Sequence, residues 1–130
     1  ALMFKSEMLK KVGLFDEDYF SYYEDYDLSF RIKKAGYKQL LVPQAKMWHK
    51  VSKTSGGKDN PFERYYMARN SILFFRKHAK PWQVPIIISY RLTSSIRTIF
   101  RLVHNKQYES ARSFIYGLVD GLRERTKSCK

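Results

Sequence analysis

The residues best suited to chemistry are carboxylates that cluster near the N-terminal end of the chain. They are Asp16, Glu17, Asp18, Glu24, Asp25 and Asp27. Apolar residues at helical spacing predict a helix over residues 23–36, which puts Glu24 and Asp25 in its first turn. The positive end of a helix dipole favours the ionised form of a carboxylate, which accepts protons. These two acids are therefore candidates for a general base, and the alternative is that they only stabilise the helix start.

Asp27 and Arg31 stand four residues apart in the same predicted helix. Residues at this spacing lie on one face of a helix, where opposite charges attract each other. The sequence therefore predicts an ion pair between Asp27 and Arg31 that stabilises the first turns of the helix.

The elements around these acids are predicted to be a mixture of strands and helices. Short apolar runs indicate the end of a buried strand at residues 1–4 and two further strands over residues 39–42 and 46–51. The second of these three ends at Pro43. A short helix is expected between Ser6 and Gly13. The fold class expected from these elements is α/β.

The second half of the chain is predicted to be helical. Asn60 followed by Pro61 is typical of a helix start, and this helix is expected to run to about His78, before Lys80 and Pro81 break it. Two more helices are predicted, and they cover residues 84–104 and 107–124.

Both of these later helices have an apolar stripe. In the first, one side carries Val84, Ile88, Leu92, Ile96, Ile99, Phe100 and Val103. Arg97 and Arg101 lie on the opposite side, so the helix is basic and amphipathic. The next helix repeats the pattern with Tyr108, Ala111, Ile115, Leu118 and Leu122. Two interpretations are open for each stripe, which either packs on the protein or lies on an anionic membrane.

The charge of the chain is strongly positive and unevenly distributed. The 130 residues include 25 Lys and Arg against 12 Asp and Glu, a formal net charge of +13. Residues 64–130 contain fourteen of these bases and three of the acids, a net +11. Such a balance favours an anionic partner, either nucleic acid, a phosphorylated ligand or an acidic membrane surface. The one cysteine, Cys129, excludes a disulfide framework and a cysteine-based zinc site.

Five short motifs follow one another in the first half of the chain. They are GLFDEDYF at 13–20, YEDYDLSFR at 23–31, AGY at 35–37, VP at 42–43 and WH at 48–49. Taken in this order, the motifs resemble the second half of a family 2 glycosyltransferase of the GT-A fold, of the rhamnosyltransferase-like kind. The resemblance covers residues 1–78.

The resemblance implies a division of the chain into two parts. Residues 1–80 are expected to be the acceptor-side half of a GT-A domain, which carries the catalytic base, and residues 81–130 a basic amphipathic helical tail. The family's nucleotide-binding half precedes such a segment. The chain is therefore expected to be inactive without that half.

The resemblance also implies an activity. The family transfers a sugar from a nucleoside-diphosphate sugar to an acceptor hydroxyl with inversion, in polysaccharide or glycolipid synthesis. Asp25 matches the second acid of the family's Glu-Asp pair, so it is the expected base that takes the proton of the acceptor hydroxyl. Glu24 is expected to position Asp25 or to bind the acceptor.

The remaining expected site residues are Trp48, His49, Lys50, Lys53 and Arg31. His49 matches a family histidine that helps bind a divalent metal, Mn²⁺ or Mg²⁺, which offsets charge on the departing diphosphate. Trp48 is expected to stack on a sugar ring, and Lys50 and Lys53 to contact the diphosphate from a flexible loop. Arg31 is a further expected substrate contact. The alternatives are a structural His49, a core Trp48 and a solvated basic loop.

Two other classes of protein stay open at this point. One is a basic nucleic-acid-binding module, because Arg and Lys alternate with aromatic residues over residues 64–103, although no known nucleic-acid motif is present. The other is a non-catalytic adaptor on an anionic membrane. For the transferase, the expected partners are the sugar donor, a saccharide or lipid-linked acceptor and an anionic membrane surface. Its expected location is the cytoplasm, at the inner face of the cell membrane.

Overall fold

The computed structural model of the protein describes residues 2–48 and 59–124. Five α-helices occur in this part of the chain, and they are α1 (Ser6–Val12), α2 (Glu24–Lys34), α3 (Pro61–His78), α4 (Val84–His104) and α5 (Tyr108–Arg123). Single 3₁₀ turns at Glu17–Tyr19 and Pro81–Gln83 precede α2 and α4. The predicted helices are confirmed to within about two residues at each end.

The predicted α/β fold class is wrong for the part of the chain that the structure describes, because residues 2–48 and 59–124 contain no β-strand. Residues 39–42 lie without regular structure, and Leu40 and Leu41 are exposed. Residues 2–4 and 46–48 also lack strand structure, and the rest of the third predicted strand lies outside the described residues. A strand needs a neighbour to pair its backbone N–H and C=O groups, and none is present here.

The start of α3 follows from its sequence. Asn60 caps the helix, since its side-chain oxygen accepts a hydrogen bond of 2.8 Å from the backbone N–H of Glu63. Pro61 occupies the first helical position, where a missing N–H costs nothing. The guanidinium of Arg101 in α4 pairs with Asp59 at 2.6 Å, which ties α4 to the start of α3.

Two apolar cores hold the helices together. Met8 of α1 packs with Leu28 and Ile32 of α2 in the first core. The second core joins α3, α4 and α5, and its buried members are Ala68, Leu102, Ala111 and Phe114. The pair α3 and α5 forms the most extensive helix interface of the described residues. The predicted tail therefore packs, through α5, against a helix of the preceding segment.

Two glycines let α5 approach α3 closely. A Cβ added at Gly121 would lie 2.7 Å from the carbonyl oxygen of Arg69 and 3.1 Å from the Cβ of Ile72. At Gly117 it would collide with the carbonyl oxygen of Tyr65 and lie 3.0 Å from the Cβ of Ala68. The backbone of α3 therefore occupies the space that any larger residue needs.

We expect Gly117→Ala to destabilise the protein, because the added methyl group forces α5 away from α3. Overpacking of this kind costs about 1–3 kcal/mol. Urea denaturation followed by circular dichroism measures the loss. The control is Ser113→Ala on the same helix, since Ser113 is half-buried and sits outside this contact. Equal stability of Gly117→Ala and Ser113→Ala would contradict the close approach.

Candidate active site

Asp27 is the centre of a buried polar cluster. Its side chain is fully buried, and its Oδ2 accepts a hydrogen bond of 2.7 Å from Arg31 Nε. Its Oδ1 lies 2.6 Å from His78 Nε2 and accepts a hydrogen bond of 3.3 Å from the Tyr19 hydroxyl, and Lys77 Nζ lies 3.7 Å away. The predicted ion pair between Asp27 and Arg31 is confirmed. Asp27 is therefore an internal anchor that joins α2 to α3.

The pKa of Asp27 reflects these contacts. Burial alone would raise this pKa. The hydrogen bonds from His78 and Arg31 and the charge of Lys77 outweigh burial, so the pKa falls from 3.8 to about 2. A carboxyl group whose pKa is lower in the folded state stabilises the fold above its unfolded pKa. The same burial, together with the charge of Asp27, raises the pKa of the Tyr19 phenol, which stays protonated and donates to Asp27.

We expect the free energy of unfolding to fall by about 2 kcal/mol as the pH drops from about 4 to about 2, because Asp27 takes up a proton more readily in the unfolded chain. Urea titrations at several pH values measure this slope. Asp27→Asn should be less stable at neutral pH and should lack this part of the acid dependence. An unchanged slope in Asp27→Asn would show that other carboxyl groups cause it.

Arg31 connects the helix to the chain that precedes it. Besides Asp27, its guanidinium donates to the carbonyl oxygen of Val12 at 2.6 Å and to that of Leu14 at 2.7 Å. All three of its nitrogens thus have internal partners. The substrate contact expected of Arg31 stays a prediction. We name residues 14–23 the acidic loop, and the observed contacts of Arg31 fix its beginning.

Asn70 of α3 holds the end of the acidic loop. Its side chain is fully buried, and its Nδ2 lies 2.7 Å from the carbonyl oxygens of Tyr19 and Ser21 and 2.8 Å from that of Tyr22. The loop needs such support because Phe20, Tyr22 and the following Tyr23 all have positive φ angles. Residues other than glycine rarely adopt positive φ angles unless other contacts compensate for the strain.

A second contact from α3 fixes the middle of the loop. Arg69 Nη1 donates to the carbonyl oxygen of Asp18 at 2.9 Å, and Lys77 forms an ion pair with Asp16. Sequence reasoning missed the roles of Arg69 and Asn70. The available signal was an adjacent pair of polar residues between the aromatic and apolar runs of α3.

Glu24 and Asp25 are the first two residues of α2 and directly follow the acidic loop. Asp25 is exposed, and among the described residues its side chain accepts one hydrogen bond, from the backbone N–H of Tyr26 at 2.8 Å. Glu24 is half-buried, and its Oε2 is buried without a hydrogen-bond partner in the described part of the chain. Asp25 is thus available to a ligand, whereas Asp27 and the Oε2 atom of Glu24 are buried.

An open groove of about 640 Å³ lies beside the acidic loop. It is lined by Glu17, Asp18, Phe20, Tyr65, Tyr66, Arg69, Asp120, Arg123 and Glu124. The rings of Phe20 and Tyr66 stand 5.4 Å apart between their centres. The Tyr65 hydroxyl donates to Asp120 at 2.8 Å, and burial together with this bond raises the pKa of Tyr65 to about 12. Aromatic faces beside carboxylates suit a polyhydroxylated ligand, since they offer apolar contact and hydrogen-bond acceptors.

The other expected site residues are Trp48, His49, Lys50 and Lys53. Trp48 is 90% exposed, so the alternative of a core tryptophan is wrong, and its contact with a sugar stays a prediction. His49, Lys50 and Lys53 lie outside the described residues. Among residues 2–48 and 59–124 no group of three or more His, Cys, Asp or Glu side chains is arranged to hold a metal ion.

Comparison with known proteins defines the class. Residues 1–119 match the family model described as "Glycosyl transferase family group 2". The chain therefore belongs to this glycosyltransferase family, and the resemblance inferred from its motifs is confirmed. No solved structure gives a significant match.

Two kinds of curated relative are similar to the chain. The N-acetylglucosaminyl-diphospho-decaprenol L-rhamnosyltransferase of Mycobacterium tuberculosis is 29% identical over 97 residues, which cover 75% of this chain and 32% of that protein. The dTDP-rhamnosyl transferase RfbF of Shigella flexneri is 28% identical over an alignment of 136 positions, which covers 93% of this chain and 43% of that protein. The chain thus spans less than half the length of these relatives.

Proposed function

We propose that the protein containing this chain transfers a sugar, with inversion, from a nucleoside-diphosphate sugar to the hydroxyl of a saccharide or lipid-linked acceptor. The observation that carries the proposal is the exposed Asp25 at the start of α2, in a chain that belongs to a glycosyltransferase family. Two relatives are named as rhamnosyltransferases, so dTDP-L-rhamnose is the first donor to test. The proposed role is in cell-surface polysaccharide or glycolipid synthesis.

Asp25 is the proposed general base. As the acceptor oxygen attacks the anomeric carbon, the Asp25 carboxylate takes the hydroxyl proton, the bond from the anomeric carbon to the diphosphate breaks, and the nucleoside diphosphate leaves with that electron pair. Glu24, which lies beside Asp25 with a buried oxygen lacking a partner in the described residues, is the proposed contact to the acceptor hydroxyl.

The groove beside the acidic loop is the proposed site for a part of the acceptor away from the reacting hydroxyl, since neither Glu24 nor Asp25 lines it. Phe20 and Tyr66 offer ring faces to a sugar, and Glu17 and Asp18 offer hydrogen-bond acceptors. A divalent metal, Mn²⁺ or Mg²⁺, is a proposed cofactor that offsets the charge of the leaving diphosphate. His49 stays its proposed ligand, and no step above depends on the metal. The proposed location is the cytoplasm.

A donor panel tests the proposal. The product of the complete open reading frame that contains this chain is mixed with nucleoside-diphosphate sugars, Mn²⁺ or Mg²⁺ and a lipid extract as acceptor, and nucleotide release is followed. We expect acceptor-dependent release from one donor, with dTDP-L-rhamnose the leading candidate. If the folded protein releases nucleotide from none of the donors, the proposed sugar transfer is wrong.

A further inference from the structure

Helix α4 presents an apolar stripe to solvent. Ile88, Leu92, Ile96, Phe100 and Val103 recur at spacings of three or four residues, so they lie on one side of the helix. Each of these five side chains is between 44% and 74% exposed. A contiguous apolar surface that is exposed to solvent in this way is typical of an interaction site.

The opposite side of α4 faces the protein and is more polar than the exposed stripe. Ser95 and Leu102 are buried there, and Ser94 and Thr98 are half-buried. A helix at the surface of a water-soluble domain normally turns its apolar side inward and its polar side outward. In α4 the inward side supplies Leu102 and Ile99 to the core, but five further large apolar residues face outward. The packing of α4 on the other helices therefore does not explain the stripe.

Helix α5 differs from α4 in this respect. Ala111 and Phe114 are buried in the core that α5 shares with α3, and Leu118 packs against the same core. The two helices had the same pattern of apolar residues in the sequence, and both interpretations were open for each. The structure separates them. Ala111 and Leu118 of the α5 stripe pack on the core, whereas Ile99 is the one residue of the α4 stripe that does so.

The charge around the stripe identifies the occupant. No Asp or Glu occurs between Glu63 and Glu109, a stretch that contains nine Lys and Arg. Arg97 is exposed on α4, and Trp82 is exposed just before the first turn of this helix. Aliphatic residues flanked by Trp and by cations are typical of helices that lie in the interface of an anionic membrane. A second copy of this chain would bring the same positive charge to the contact, which repulsion disfavours.

We propose that α4 docks on an anionic lipid bilayer, with its stripe of Ile88, Leu92, Ile96, Phe100 and Val103 at the boundary between headgroups and acyl chains. The helix lies along the surface, since no helix within residues 2–48 and 59–124 is long and apolar enough to cross a membrane. The proposal is independent of the catalytic role of Asp25. It explains how an enzyme of this family would meet a lipid-linked acceptor.

Vesicle co-sedimentation tests the docking. The full protein is mixed with phosphatidylcholine vesicles, with or without phosphatidylglycerol, at low and high salt. We expect binding to the anionic vesicles that weakens with salt, and at least about tenfold weaker binding in the double variant Ile96→Gln, Phe100→Gln. The matched control is Leu40→Gln, Leu41→Gln, which changes two apolar residues outside α4 that are even more exposed than Ile96 and Phe100, and which should bind as the native protein does.

Several results would overturn the proposal. Equal binding of the α4 variant and the native protein, with helicity unchanged by circular dichroism, would show that the stripe does not contact lipid. Dimerisation in solution that the α4 variant abolishes, without vesicle binding, would assign the stripe to a second copy. If the protein bound nucleic acid in a salt-sensitive way and did not bind vesicles, the cations between Glu63 and Glu109 would be assigned to nucleic acid. Nucleotide release with a detergent-solubilised acceptor should be the same in the α4 variant, which separates this test from that of the proposed function.

Discussion

Nucleotide release is expected to slow by about 10²–10⁴-fold when Asp25 is replaced by Asn, the range typical of losing a general base. Asn has nearly the same size as Asp and can accept the same hydrogen bond from the backbone N–H of Tyr26, which is 2.8 Å long in the native protein. It cannot take up the acceptor proton at neutral pH. The change therefore removes the base with little effect on the fold. Initial rates of acceptor-dependent nucleotide release measure the loss, which should fall on kcat rather than on the KM of the donor.

The control for Asp25 is another acid at a helix start. Glu7 lies in the first turn of α1 and is exposed, and Glu7→Gln should leave the rate unchanged. If Asp25→Asn also keeps the native rate, Asp25 only stabilises the start of α2, the alternative that the sequence left open. The variant Glu24→Gln tests the proposed acceptor contact of Glu24, because loss of that contact should raise the KM of the acceptor.

Asn70→Leu is expected to cause the largest loss of stability among single changes near the site. Three carbonyl oxygens of the acidic loop, those of Tyr19, Ser21 and Tyr22, lie within 2.8 Å of the Asn70 amide, and leucine offers them no donor. A buried polar group left without its partner costs about 1–3 kcal/mol, so the free energy of unfolding should fall by about 3 kcal/mol or more. Urea denaturation measures this change.

The acidic loop should also lose its order in Asn70→Leu, because the positive φ angles of Phe20, Tyr22 and Tyr23 lose their support. Limited proteolysis should then cleave within residues 14–23, and catalytic activity should fall at least about tenfold as Asp25 loses its position. Asn105→Leu is the matched control, since Asn105 is exposed at the end of α4. A protein with native stability and native protease resistance after Asn70→Leu would contradict the role of this amide.

The helices were predictable because their signals are local. Asn60 and Pro61 mark the start of α3 through a cap and a missing N–H, and Pro81 ends the same helix region for steric reasons. The Asp27–Arg31 pair was predictable from its spacing of four residues. Each of these features depends on a few neighbouring residues, so the sequence alone is sufficient.

The strand prediction failed for the opposite reason. Residues 39–42 contain Leu40, Leu41 and Val42, an apolar run that suits a strand, but a strand forms only when another strand pairs with its backbone. That partner is a long-range condition which a local pattern does not report. The difference between the stripes of α4 and α5 was equally hidden. The inward packing of α5 depends on Gly117 and Gly121, which allow α5 to approach α3, and their effect is visible only when both helices are in place.

The candidate site was predictable only in part. The motifs led to Glu24 and Asp25, which the structure places at the start of α2 as expected. They did not indicate that Asp27 is buried whereas Asp25 is exposed, although both stand in the same short acidic run. Nor did they indicate that Asn70, about fifty residues away, positions the acidic loop. Burial and long-range hydrogen bonds decide these roles, and both arise from the tertiary fold.

The anomeric configuration of the product is the most direct test of the proposed mechanism. If Asp25 acts as a base while the acceptor oxygen attacks the anomeric carbon in one step, the new linkage must have the configuration opposite to that in the donor. NMR of the transferred sugar, made with the active donor of the panel, determines it. We predict inversion, and retention of the donor configuration would contradict the proposed role of Asp25.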